Sequence, residues 1–314
     1  MGAPDIPSSE DLARARRLLE GRLRRTPLLS LGPCATAATD VVLKLEQTQS
    51  TGAFKVRGAL SAVLGAPVPA AGVVAASGGN HGAAVAWAAA QTGVKASIFV
   101  PSSSPRTKLE RIQSYGADLH VVEGFYADAL TAAQEFARTS GARQIHAYDD
   151  PLVVAGQATL GSELVDQLPT VTTILLAVGG GGLYAGVTLA TAGRARVVPV
   201  EPVGAPTLHE ALRAGRPVPV SVGGAAVDSL GAGVIGGIAL AVAQAQGAIP
   251  LLVEDEVIRH AQHWLWEEAR QVGEPGGVTA LGALISGAYR PAEGEVVAVV
   301  ISGGNTDPAA LPPS

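Results

Sequence analysis

Short apolar runs alternate with longer amphipathic or alanine-rich stretches along most of the chain. Ser8 and Asp11 stand three apart, as in a capping box, ahead of a predicted helix over 9–23. Arg16, Arg17, Arg22, Arg24 and Arg25 crowd its end, where cations suit the helix dipole, but a solvated helix face is the preferred reading. Thr26-Pro27 closes it. Residues 41–45 read as a strand and 55–64 as a helix. Strands 73–76, 96–100 and 119–122 then alternate with helices 82–92 (stopped by Gly93), 106–115 and 125–139. Strand 173–178, helix 183–192 and strand 196–200 follow, then helices 206–214, 255–271 and 277–289 and strand 296–301. Such alternation predicts an α/β fold of open, mostly parallel sheets covered by helices. The Pro/Ala-rich segment 65–72 reads as a surface connection and a candidate domain boundary.

Two uncharged stretches, 73–94 and 171–193, are long enough to raise a membrane span. A glycine cluster breaks each, so a buried strand, a tight loop and a helix explain them better. No membrane association is expected. The N-terminus has no apolar core after a basic start, so no signal peptide is expected and a cytoplasmic protein is.

Composition narrows the class. The 314 residues suit roughly two domains at about 150 residues each. With 47% hydrophobic and 16% charged residues the chain is not wholly disordered. Its 22 basic residues against 27 acidic ones argue against a nucleic-acid partner. Cys34 is the only cysteine, so no intrachain disulfide forms, which fits a reducing compartment. Glycine supplies 39 residues without a collagen period, so turns and ligand loops are where these are expected. Any lysine chemistry must come from Lys44, Lys55, Lys95 or Lys108.

Ligands of open α/β sheets sit beyond the carboxyl ends of the strands. Three such ends stand out: SGGNHG at 77–82, GGGGL at 179–183 and SGGN at 302–305. Glycines at 179–182 ahead of a helix free backbone N–H groups to form an anion cradle, or they simply make a tight turn. The dinucleotide fingerprint there is partial, since Glu201 is the first acidic residue after the loop. In SGGNHG, Asn80 offers both donor and acceptor, and His81 is either a proton-transfer group or a loop histidine bonded to backbone. Metal-type His/Cys spacing and GxSxG are missing from the sequence. Lys55 follows a small-residue turn and an aromatic in STGAFKVRGA. A surface lysine is the ordinary case, but a lysine near a phosphate cradle is the minimum for condensation with a phosphorylated aldehyde cofactor.

The order FKVRGA, SGGNHG, GGGGL and SGGN resembles the β-family (fold type II) of pyridoxal-phosphate enzymes, and within it the threonine/serine dehydratase branch that includes serine racemase. Tyr148-Asp149-Asp150-Pro151 with Ala155-Gly156-Gln157, and the pairs Glu201-Pro202 and Glu274-Pro275, extend the match over about 26 to 305. The resemblance implies a tryptophan synthase β-like, two-domain fold with the cofactor in the interdomain cleft. A large cofactor-binding domain would take 1–69 and 148–314, and a small mobile domain 70–147. Lys55 would hold pyridoxal 5'-phosphate and act as base at the substrate Cα, with Phe54 beside the ring. Asn80 would bond the phenolic oxygen and Ser302 would face the pyridine nitrogen. Backbone N–H groups of Gly179, Gly180, Gly181, Gly182 and Leu183 would hold the phosphate. Ser77, Gly79, Asn80 and His81 would bind the substrate, a small amino acid. A divalent cation would use Glu201 and the Ala205 carbonyl, although Thr207 stands where the third, acidic ligand is expected.

The implied reaction is β-elimination of L-threonine or L-serine to a 2-oxo acid and ammonia, in a homodimer. Racemases of this group carry a second serine where this chain has Gly78, so dehydration is expected over racemisation. The expected Asp-Gly near the cofactor reads Asp228-Ser229. The chain ends nine residues after Asn305, so isoleucine feedback through a regulatory domain is not expected. Alternatives are a serine racemase, a dehydratase for another β-hydroxy amino acid such as hydroxyaspartate, a β-replacement synthase, and a pseudoenzyme that holds the cofactor without turnover. A non-catalytic phosphate- or nucleotide-binding Rossmann-type protein is the reading from a different class, and it would need neither Lys55 nor Ser302.

Overall fold

The computed structural model describes residues 4–33 and 40–310; Cys34 lies outside them. In chain order the described residues form α1 (Ser9–Leu19), β1 (Leu28–Pro33), β2 (Asp40–Leu45), α2 (Lys55–Gly65), β3 (Val73–Ala76), α3 (Asn80–Thr92), β4 (Ala96–Pro101), α4 (Arg106–Ser114), β5 (Asp118–Val122), α5 (Tyr126–Ser140), β6 (Arg143–Gln144), α6 (Pro151–Gln167), β7 (Thr173–Ala177), α7 (Gly182–Ala190), β8 (Arg196–Pro202), α8 (Thr207–Ala214), α9 (Val227–Leu230), α10 (Gly237–Gln246), β9 (Leu251–Val253), α11 (Asp255–Ala269), α12 (Pro275–Ile285) and β10 (Val297–Ile301).

Two sheets result. The first has the order β1-β2-β10-β7-β8-β9, and only β1 runs antiparallel to its neighbour. The second, β5-β4-β3-β6, is parallel throughout and comes wholly from residues 73–144. The α/β architecture is the one the alternation predicts. Side chains of a strand point alternately to opposite faces, and β10 shows the consequence. Val297, Val299 and Ile301 enter a core with Ile258, Leu265 and Leu281, under α11 and α12. Ala298 and Val300 enter the opposite core with Leu160, Leu164 and Leu183, under α6 and α7. Covered on both faces, the strand is apolar at every position, and each buried Val or Ile contributes roughly 1.5–3 kcal/mol. A third core joins the second sheet to the helix that carries Lys55. Val56, Ala59, Leu60 and Val63 of α2 pack there with Val73, Ala75 and Ile98.

The N-terminal capping box forms, with the Asp11 N–H donating to Ser8 Oγ at 3.2 Å and the Ser8 N–H to Asp11 Oδ2 at 2.8 Å. The helix stops at Leu19 rather than at 23, because Gly21 turns the chain away at a φ of +70°. Helix α6 was not predicted. Asp150 caps it by accepting from the N–H groups of Leu152 and Val153, and Pro151 opens it. Its first eleven residues are nearly all buried, so the polar face that marks a surface helix is missing. Strands β1, β6 and β9 and helices α9 and α10 also went unpredicted; β6 and β9 are too short for periodicity to register. Helix α6 crosses α2 at Gly58 and Gly156. A Cβ on Gly156 would lie 2.7 Å from Gly58 Cα and would overlap the Arg57 carbonyl.

Candidate active site

The carboxyl ends of β3, β4, β5, β6 and β7 converge on one cavity of about 490 Å³. Ser77, Gly79, Asn80 and His81 line it from the loop after β3 and the start of α3. Ser104 and Lys108 come from the turn and helix after β4, Tyr126 from beyond β5, and Ala147 and Tyr148 from beyond β6. Gly180 enters after β7, Asp228 and Ser229 from α9, and Lys55 from the first turn of α2.

Lys55 donates to the Ala147 carbonyl at 2.9 Å, and its ammonium stands 5.1 Å from the centre of the Phe54 ring. Desolvation draws its amine down to about 8, against a smaller upward pull from the Glu274 carboxylate. Free amine is therefore available near neutral pH, as a nucleophile requires. Arg57, two residues on, fixes this turn. It is 2% exposed and donates to Glu46 Oε2 and Oε1 at 2.8 and 2.7 Å and to Glu163 Oε2 at 3.0 Å. The role of that arginine and its two carboxylates was missed from sequence, because the partners lie 11 and 106 positions away.

The glycine loop reaches the same cavity through Gly180. The carbonyls of Gly179, Gly180 and Gly181 accept from Thr207 Oγ1 at 2.6 Å, the Gly236 N–H at 3.1 Å and the Ala185 N–H at 2.9 Å. The N–H groups of Gly179, Gly180, Gly181, Gly182 and Leu183 donate to no acceptor among the described residues. Gly181 takes a φ of +86°, which directs the chain into α7. Five consecutive free donors at a helix N-terminus make an anion cradle. Behind it, the Tyr148 ring fills the place of a Cβ on Gly180, and the Tyr148 hydroxyl donates to the Val234 carbonyl at 3.1 Å.

Asn80 is held at both ends of its amide. Its Nδ2 donates to Glu274 Oε1 at 2.6 Å, and its Oδ1 accepts from Asn305 Nδ2 at 2.6 Å. Arg111 of α4 donates in turn to Asn305 Oδ1. Burial pushes the Glu274 carboxyl up to about 7, against the Asn80 hydrogen bond and the Lys108 charge. His81 is 5% exposed, and its Nε2 lies 3.0 Å from the Ile145 carbonyl. Burial and the neighbouring Lys55 hold its pKa down to about 3, so the ring is neutral and anchored to backbone. Ser77 Oγ accepts from the Gly79 N–H at 3.2 Å. Ser302 is buried at the end of β10, where its carbonyl accepts from the Phe54 N–H at 3.1 Å.

The residues assigned to a divalent cation do not fit one. The Glu201 carboxylate accepts from the N–H groups of Leu208 and His209 at 2.7 and 2.9 Å, and its Oε1 lies 3.0 Å from Thr207 Oγ1. The Ala205 carbonyl accepts from the Thr207 N–H at 3.0 Å. Glu201 thus caps α8, while a threonine hydroxyl faces Gly179 where a third anionic ligand would be needed.

A lysine amine that lines one cavity with a glycine loop of acceptor-free N–H groups defines a candidate enzyme site for a phosphorylated carbonyl compound. The family model described as pyridoxal-phosphate dependent enzyme matches residues 19–303. The L-threonine ammonia-lyase of Geobacter sulfurreducens is 36% identical over 92% of this chain and 73% of its own length. The L-threonine ammonia-lyase of Thermotoga maritima is 33% identical over 95% and 75%. Among solved structures, a threonine deaminase from T.th. has a TM-score of 0.87 at 34% identity, covering 96% of this chain and 99% of that one. Maize serine racemase has a TM-score of 0.91 at 30% identity, covering 99% and 96%. The chain belongs to the pyridoxal-phosphate-dependent enzyme family, and its cofactor is pyridoxal 5'-phosphate. The site suits that group: Lys55 presents the amine for its aldehyde, and the five free N–H groups match its phosphate.

Proposed function

We propose that the protein is a dehydratase of L-threonine and L-serine, releasing 2-oxobutyrate or pyruvate and ammonia. One observation carries the reading. Lys55, with its lowered pKa and single carbonyl partner, lines one cavity at the strand ends with Gly180, which belongs to a loop whose five N–H groups have no acceptor among the described residues. The relatives named as threonine ammonia-lyases support the substrate class. The bound cofactor supplies the electron sink that acidifies the substrate Cα. Lys55 would take the Cα proton, and Phe54, its ring centre 5.1 Å from the ammonium, would lie beside the cofactor. Asn80, itself oriented by Glu274 and Asn305, bonds the cofactor's phenolic oxygen. The loop 77–81 binds the substrate carboxylate through Ser77, Gly79, Asn80 and His81. Ser302 would offer the ring nitrogen a neutral hydroxyl rather than a carboxylate. That choice favours elimination, in which negative charge on Cα is brief because hydroxide departs.

The reading includes a small mobile domain over 70–147, a large one over 1–69 and 148–314, and a cytoplasmic homodimer. Among the described residues no helix is long and apolar enough to cross a membrane. The test is turnover of L-threonine, L-serine and D-serine by cofactor-loaded protein, scored for 2-oxo acid and ammonia, with Lys55→Ala as the control. Rapid 2-oxo acid from the L-substrates, lost in the variant, is the expected result. A yellow protein inert on all three would overturn the substrate assignment.

A further inference from the structure

Two glycines beside the site leave room for polar side chains. A Cβ on Gly52, in the turn ahead of Lys55, would overlap Asn305 Oδ1, and Gly52 also holds a φ of +66°. A Cβ on Gly303 would overlap Glu274 Oε1. The bare turns let Asn305 and Glu274 enter, and the Asn80 amide bonds to both.

The hydrogen bonds of this cluster run in one direction. Arg111 donates to Asn305 Oδ1. Asn305 Nδ2 donates to the Thr51 carbonyl at 2.8 Å and to Asn80 Oδ1 at 2.6 Å, which uses both of its N–H bonds. Asn80 Nδ2 donates to Glu274 Oε1 at 2.6 Å. Its second N–H has no acceptor among the described residues, and Asn80 lines the cavity together with Lys55. An amide donates only from nitrogen and accepts only at oxygen, so either asparagine, turned over, would set like against like. Arg111, which can only donate, fixes the sense of Asn305, and Asn305 fixes that of Asn80. The chain of bonds crosses between the two sheets at every step. Arg111 and Asn80 lie on α4 and α3, beside the second sheet, whereas Asn305 follows β10 and Glu274 stands just ahead of α12, beside the first.

We propose that Arg111 and Asn305 are positioning residues for the cofactor, holding the Asn80 amide in the one sense that leaves an N–H free for the phenolic oxygen. The inference rests on the reading of Asn80 given above. In this sense the amide donates to an ionised oxygen; turned over, it would present a carbonyl and repel one. The pair therefore supplies polarity rather than shape, and Arg111 supplies it from outside the cavity lining.

The test titrates pyridoxal phosphate into cofactor-free protein and records the dissociation constant and the absorbance of the bound cofactor. Asn305→Asp keeps the size of the side chain and its pairing with Arg111 but sets an acceptor against Asn80 Oδ1. It should weaken binding about tenfold, and the visible band should lose intensity to the near-ultraviolet one as the phenolic oxygen loses its donor. Arg111→Met should weaken binding about threefold, and Arg111→Lys, which keeps a donor, should restore most of that loss. Arg111 is half-buried on a helix, so Arg111→Met carries the same test should Asn305→Asp fail to fold. In an Asn80→Ala background both losses should shrink below about twofold, since the path runs through Asn80. If Asn80→Ala binds as tightly as wild type, the Asn80 contact of the proposed function falls and this inference with it. Weak binding by Asn80→Ala, with normal binding and an unchanged spectrum in Asn305→Asp and Arg111→Met, overturns this inference alone. So does a loss that persists in the Asn80→Ala background.

Discussion

Lys44 and Lys55 are both removed from bulk water, yet the fold uses them oppositely. Lys44, on β2, is 0% exposed and spends all three ammonium protons: on the Thr26 carbonyl at 2.9 Å, Glu163 Oε1 at 2.5 Å and Gln167 Oε1 at 2.7 Å. Lys55 has one carbonyl acceptor and faces an open cavity. Burial lowers the pKa of both, and at Lys44 the Glu163 carboxylate opposes that fall directly. Desolvation alone does not make a lysine reactive. Lys55 differs in keeping hydrogen-bonding capacity in reserve beside an open cavity.

Removing each lysine should break the pair apart by the largest margin. Lys55→Ala should cost about 10³-fold or more in turnover while leaving the unfolding midpoint nearly in place. Lys44→Ala should do the reverse. It leaves Glu163 facing only Arg57 and Thr26, and truncating one partner of a buried pair costs about 3–5 kcal/mol. Urea unfolding should register that loss, with turnover per folded molecule close to wild type. A Lys44 variant that is stable but inactive would reverse the assignment of the two lysines.

Much of this contrast was legible in the sequence, and the rest was hidden for a physical reason. Lys55 and the two glycine loops stand out in the sequence as short runs of small residues at strand ends, and the structure brings Lys55, residues 77–81 and Gly180 to one cavity. The buried strands β3, β4, β7 and β10 were placed to within a residue or two, since a strand covered on both faces reads as an apolar run bounded by glycine. Nothing local marks Lys44 as structural. Its partners Glu163 and Gln167 lie in α6, the helix whose nearly uniform burial hid it. Glu201 was read as a metal ligand through resemblance, and the structure instead makes it a cap for α8.

A finer comparison comes from pH. With a Lys55 pKa of about 8, roughly a tenth of the amine is free at pH 7, against well under a thousandth for an ordinary lysine. Borohydride trapping of pyridoxal phosphate on cofactor-free protein should therefore accelerate about tenfold per pH unit below about 8 and level off above it, with label at Lys55 and none at Lys44. Glu274 is the carboxylate that raises the Lys55 pKa, so Glu274→Gln should move the inflection to lower pH. An inflection at the ordinary lysine value of about 10.4 would mean that the cavity does nothing to the amine.

The smallest expected effect is also the sharpest discriminator, because Arg57 belongs to both environments. It stands two residues from Lys55 and shares Glu163 with Lys44. Arg57→Lys keeps the charge but loses the planar fork that engages both oxygens of Glu46, so unfolding should show a loss of about 1–3 kcal/mol. Glu46 and Glu163 are not among the charges that set the Lys55 pKa, whereas Glu274 is. The trapping inflection should therefore stay near a pH of about 8 in Arg57→Lys while it falls in Glu274→Gln. If Arg57→Lys moves the inflection as far as Glu274→Gln does, the buried ion network reaches the amine after all, and the two lysines share one electrostatic environment.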